Sequence, residues 1–116
     1  MPPLTDRERL THYVTALSSW DFNCYVHWKS RVAADLRRNH DITTREFSRL
    51  MFEHVNRGGQ IDEIPETREP WRDEYSYHYD MRFAIPDGGQ VYVETVLVMG
   101  REPDDSRIEV VSVHEP

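Results

Sequence analysis

The sequence predicts a segregated α+β domain: N-terminal helices packed on one face of a three- to four-stranded antiparallel sheet. Three observations predict it. Two capping boxes open helical stripes within residues 5–56, and residues 75–85 alternate with period 2. A glycine-bearing turn then leads into a second, more apolar strand at 90–98. A length of 116 residues suits one such domain with a single core.

The elements follow in order. Thr5-Asp6-Arg7-Glu8 has capping-box form, and Leu10, Tyr13, Val14 and Leu17 continue it as a helix to about Ser18. From about Tyr25 a second helix places Tyr25, Trp28, Val32 and Leu36 on one stripe, with His27, Arg31 and Arg38 on the neighbouring face. Asn39-His40-Asp41 ends it. Thr43-Thr44-Arg45-Glu46 repeats the capping box before a third helix built on Phe47, Leu50, Met51 and Val55, closed by Gly58-Gly59.

Strands are expected near 60–64, 75–85, 90–98 and 107–114, the first stopped by Pro65. Tyr75, Tyr77, Tyr79, Met81, Phe83 and Ile85 fall on one side of the central strand and should meet the helices. Ser76, His78, Asp80, Arg82 and Ala84 fall on the other, uncovered side. Pro86-Asp87-Gly88-Gly89 supplies the hairpin turn.

Charge is unevenly placed in a chain of net charge −7 and pI about 5.3. Residues 1–58 carry a net +2 and residues 59–116 a net −9. That balance argues against tight non-specific nucleic-acid binding, which depends on neutralising phosphates, while leaving room for a local basic cleft. The acidic cluster Glu63, Glu66, Glu69, Asp73 and Glu74 reads as a solvated loop or as a face that meets a basic partner. Cys24 is the only cysteine, so no intramolecular disulfide can form and a cytoplasmic setting is expected. No apolar run approaches a membrane span or signal-peptide core, and the charged N-terminus is unlike a secretory leader. Cys24-Tyr25-Val26-His27 has Cys-x-x-His spacing without a second pair, so no metal site and no cofactor are expected.

Two groups of motifs carry a resemblance. His27-Trp28-Lys29-Ser30-Arg31-Val32, Ile42-Thr43-Thr44-Arg45-Glu46-Phe47 and Gly59-Gln60-Ile61-Asp62-Glu63-Ile64-Pro65-Glu66 resemble the pattern of a small prokaryotic family catalogued as domain of unknown function 4258. Gly89-Gln90-Val91-Tyr92-Val93 and Val111-Ser112-Val113-His114-Glu115 resemble the closing strands of the motility quorum-sensing regulator toxin, an RNA-cleaving relative of the RelE-type toxins. The resemblance implies a RelE/barnase-like fold with an RNA site on the sheet face away from the helices. It also implies an antitoxin-like protein partner. Tyr92 matches the toxin's tyrosine, His114 stands where the toxin has a lysine, and its other catalytic lysine has no clear counterpart here.

Metal-independent RNA cleavage requires a base for the 2′-hydroxyl, an acid for the leaving oxygen and cations for the charged intermediate. His78 and Arg82 supply a base and a cation on one strand face; Tyr92 could donate a proton or stack on a base, and His114 joins from the last strand. The same residues without chemistry would be a polar face that keeps the domain soluble. His27 and Arg31, at i and i+4 of the expected second helix, would bind phosphate or, structurally, cap the helix and pair with an acid. The expected function is a toxin-like, metal-independent endoribonuclease, with a catalytically silent protein-binding module of the same fold as the alternative.

Overall fold

The computed structural model of the chain describes residues 6–21, 25–65, 67, 77–86, 88–98 and 105–114. Among the described residues, three helices and five strands follow in the order α1 (Asp6–Ser18), β1 (Val26–Trp28), α2 (Ser30–His40), α3 (Thr44–Asn56), β2 (Asp62–Pro65), β3 (Tyr77–Ala84), β4 (Gln90–Val98) and β5 (Arg107–His114). The class is α+β, as the helices-then-strands pattern requires. Thr5, Cys24, Tyr75, Ser76, Asp87 and Glu115, which the sequence reading used, lie outside the described residues, as do Glu66, Glu69, Asp73 and Glu74 of the acidic cluster.

The sheet departs from expectation. It has five strands in the order β1-β5-β4-β3-β2, and β1 lies parallel to β5, so it is mixed rather than a three- to four-stranded antiparallel sheet. The fifth strand comes from a stretch expected to be helical: Val26, His27 and Trp28 pair with Ile108, Glu109 and Val110. The amide of Ile108 donates to the Tyr25 carbonyl at 2.8 Å, carrying the pairing one residue further. The helix begins only at Ser30. A β-branched and an aromatic residue flanking His27 suit a strand, and the open edge of β5 offers the ladder that decides it.

Local signals set the other boundaries. Thr43 caps α3, its Oγ1 accepting from the Glu46 amide at 3.1 Å. α2 ends at Asp41 in the left-handed region (φ 52°), and α3 exits through Gly58 (φ 83°), where a Cβ would be strained. Gly59 then passes so close to His54 that a Cβ would lie 2.5 Å from the His54 carbonyl oxygen. The hairpin pairs Tyr77–Ala84 antiparallel with Gln90–Val98, in the register His78 opposite Val96 through Ala84 opposite Gln90, and Ile85 donates to Gly89 across the turn.

The core lies between the sheet and the three helices. Tyr79, Met81, Phe83 and Ile85 from the central strand meet Tyr13, Ala16, Leu17, Leu36, Phe47 and Met51, with Val32 and Leu50 packed against the cluster and Tyr77 half-buried beside it. Phe47 is its junction: the ring meets Trp28 edge-on at 5.4 Å and Phe83 at 5.2 Å, joining α3 to strands β1 and β3. On α1, Leu10 is exposed, and Arg9 and His12 occupy the inward stripe with Tyr13, Ala16 and Leu17. Each has a polar partner to meet: His12 Nδ1 hydrogen-bonds Ser106 Oγ at 2.7 Å, and Arg9 pairs with Glu63 at 2.8 Å while stacking over Tyr77. Thr95 donates to the Tyr79 carbonyl, so the Tyr13 hydroxyl donates to Thr95 Oγ1, at 2.7 Å.

Glu63 is therefore a structural carboxylate rather than part of a solvated loop. Burial pushes its pKa up, but the Arg9 guanidinium and the Tyr79 hydroxyl outweigh burial and hold it below the ordinary value of 4.5. A group depressed in the folded state stabilises the fold above its unfolded pKa, and that stability is lost as pH falls through the folded value. Wild type is accordingly expected to lose more stability than Glu63→Gln on acidification below about pH 4.5, read as the urea midpoint at successive pH values. Parallel acid profiles for the two chains would assign the pair no role in stability.

Candidate functional site

Beyond the helices, the far face of the sheet is built from cross-strand rows, because partners directly opposite share a face. One row runs Ile64–His78–Val96–Glu109–His27 across β2, β3, β4, β5 and β1. The next runs Asp62–Asp80–Glu94–Ser112, and the third runs Arg82–Tyr92–His114. Strand register thus gathers four residues from separate parts of the chain, His78, Arg82, Tyr92 and His114, onto one patch.

Asp80 is the centre of that patch. Although it lies on the face expected to be uncovered, it is only 1% exposed, and His78 and Tyr92 both hydrogen-bond its carboxylate. His78 Nδ1 lies 2.8 Å from Asp80 Oδ1, and the Tyr92 hydroxyl donates to Asp80 Oδ2. A carboxylate only accepts, so the first bond places a proton on Nδ1 and fixes the imidazole's orientation. Burial and the bond to Asp80 push the Tyr92 hydroxyl up to about 12. That hydroxyl is committed as a donor to Asp80 and is a poor proton source for a substrate.

The third row is more accessible. Arg82 and His114 are exposed, and they flank the half-buried Tyr92 ring. The Arg82 guanidinium carbon lies 5.1 Å from the ring centroid, and the His114 ring lies at 5.1 Å, tilted by 35°. Cation, aromatic plate and imidazole therefore stand side by side across three strands. His78 sits four residues from Arg82 on the same strand, roughly 13 Å along it at the usual rise, so the two do not close on one phosphate directly.

The helical face expected to join His27 and Arg31 does not form. His27 lies on β1, not on a helix, and Arg31 is exposed in the first turn of α2, so no shared i, i+4 face exists. His27, 62% exposed at its side chain, faces Glu109 at 3.5 Å. It lies three strands from His78 in the same row, roughly 14 Å away.

Two members of the patch went unassigned by sequence reasoning. Asp80 was placed on the correct face without a role. Glu94, opposite Asp80 and two residues beyond Tyr92, is placed on this face by the same alternation that places Tyr92. One ligand atom from each of His78, Asp80 and Glu94 lies within 4.8 Å of the others.

No family model, curated protein or solved structure matches the chain. Among the described residues, no helix is long and apolar enough to cross a membrane. Fold and site together define an α+β domain whose five-stranded mixed sheet carries a histidine–carboxylate–tyrosine network beside an exposed arginine–histidine pair.

Proposed function

We propose that this face binds single-stranded RNA and cleaves it by transesterification, as an endoribonuclease of the RelE/barnase-like kind. The observation that supports the reading is the Arg82–Tyr92–His114 row. His114 takes the proton of a 2′-hydroxyl, whose oxygen bonds to the adjacent phosphorus; the P–O5′ bond breaks, and the departing oxygen is protonated from water. Arg82 holds the phosphate as charge grows on its oxygens, and the Tyr92 ring offers a stacking surface for a base. Asp80 and His78 are positioning residues that hold Tyr92 in place.

Incubation with a short RNA is expected to yield 2′,3′-cyclic phosphate ends, while the matching DNA, lacking the 2′-hydroxyl, stays intact. His114→Ala and Arg82→Ala should each lower the cleavage rate about a hundredfold or more. Their thermal midpoints should stay near wild type, because both side chains are exposed. Intact RNA, or full activity in both variants, overturns the reading.

A second reading has its own support in charge. Residues 59–116 carry a net −9, and Asp62 and Glu94 share the face with Asp80. A face so acidic fits a basic, antitoxin-like protein partner, and it is the reading that stands if RNA is left uncut.

A further inference from the structure

Three carboxylates occupy one cross-strand row: Asp62 faces Asp80, and Asp80 faces Glu94. Like charges directly opposite on a sheet repel, and the middle one is 1% exposed, where water screens it least. Such an arrangement favours a positive charge placed among them. Beside the middle carboxylate stands the imidazole of His78, 12% exposed at its side chain, with Nδ1 2.8 Å from Asp80 Oδ1.

We propose that His78, Asp80 and Glu94 form a binding site for one divalent cation of the zinc type. Each offers a ligand atom within 4.8 Å of the other two. Ligands about 2.0–2.2 Å from a shared zinc ion lie roughly 3–3.5 Å apart, so small side-chain rotations close the set. The cation takes the place of the Nδ1 proton that His78 directs at Asp80, and Glu94 approaches from the neighbouring strand. Tyr92 remains as a donor to the second oxygen of Asp80, the kind of supporting hydrogen bond that orients a metal-bound carboxylate. One imidazole with two carboxylates selects zinc over magnesium, which prefers oxygen ligands alone and keeps much of its water. Three protein ligands leave a coordination position for water.

The inference does not depend on RNA cleavage, since the Arg82 and His114 side chains take no part in it. Its readout is binding. The full chain, treated with a chelator and dialysed, is titrated with Zn²⁺ alone by calorimetry, with circular dichroism confirming the fold of each variant. One ion per chain is expected, together with a raised thermal midpoint. Glu94→Gln and His78→Gln should each weaken binding by at least about tenfold, and His27→Gln, on the far edge strand, should leave it unchanged. Glu94→Gln retains the shape of a side chain outside the helix-facing core, so it reports even if His78→Gln unfolds. Absence of saturable binding, unchanged affinity in Glu94→Gln, loss of binding in His27→Gln, or Mg²⁺ bound as tightly as Zn²⁺ would each overturn the assignment.

Discussion

Truncating Phe47 to Ala is expected to cost about 3–5 kcal/mol, a large share of the roughly 5–15 kcal/mol that stabilises a domain of this size. Phe47 is fully buried, and its ring is what Trp28 and Phe83 both rest on. Its removal gives up the transfer energy of the ring and leaves a cavity between α3 and two strands that cannot collapse independently. The indole of Trp28 is also held by a hydrogen bond to Ser48 Oγ at 3.1 Å, on the same helix, so loss of Phe47 loosens the β1 edge in particular. Phe47→Leu, which keeps most of the volume, should cost less. Urea unfolding measures both, and amide exchange should show Val26–Trp28 losing protection first in the Ala variant. A cost below about 1.5 kcal/mol would mean that the core re-collapses around the gap and that Phe47 is not its junction.

The same residues show where sequence reasoning worked and where it failed. The hairpin and the last strand were legible because alternation is a local property, and Gln90–Val98 and Arg107–His114 are the expected strands. Val26–Trp28 was not legible. Three residues are too few to display a period, and Trp28 also fits a helical stripe with Tyr25, Val32 and Leu36. A parallel pairing with residues some eighty positions later decided the matter, and no local signal carries that. The inward stripe of α1 differs from the expected Leu10, Tyr13, Val14 and Leu17 for a related reason: nothing local turns Arg9 and His12 inward, and their partners Glu63 and Ser106 come from distant parts of the chain. On the far face, register followed from alternation and brought His78, Arg82, Tyr92 and His114 onto one patch. The network around Asp80 did not follow, because its partners sit two residues away on the same strand and across on the next, and no pattern along one strand records that they bond to one carboxylate.

Asp80→Asn should separate the positioning network from the reacting groups. The carboxylate accepts from two donors at once, His78 Nδ1 on one oxygen and the Tyr92 hydroxyl on the other. An amide has a single oxygen and turns an NH₂ group toward whichever donor it cannot serve. One buried hydrogen bond is therefore lost or reversed, at a stability cost of about 1–3 kcal/mol, which leaves the chain folded. If the reading of the Arg82–Tyr92–His114 row holds, the freed Tyr92 ring no longer fixes the substrate between Arg82 and His114. Cleavage should then fall about a hundredfold, the scale of loss that a misplacement near 1 Å brings, and it should fall in kcat more than in KM. Tyr92→Phe supplies the contrast. It keeps the ring against Arg82 and His114 while removing a hydroxyl that is tied to Asp80 and pushed up to about 12, so most of the activity should survive. Cleavage lost in Tyr92→Phe at unchanged stability would make the hydroxyl the proton donor and reverse the roles of the two residues. Full activity in Asp80→Asn would detach the buried network from the chemistry altogether.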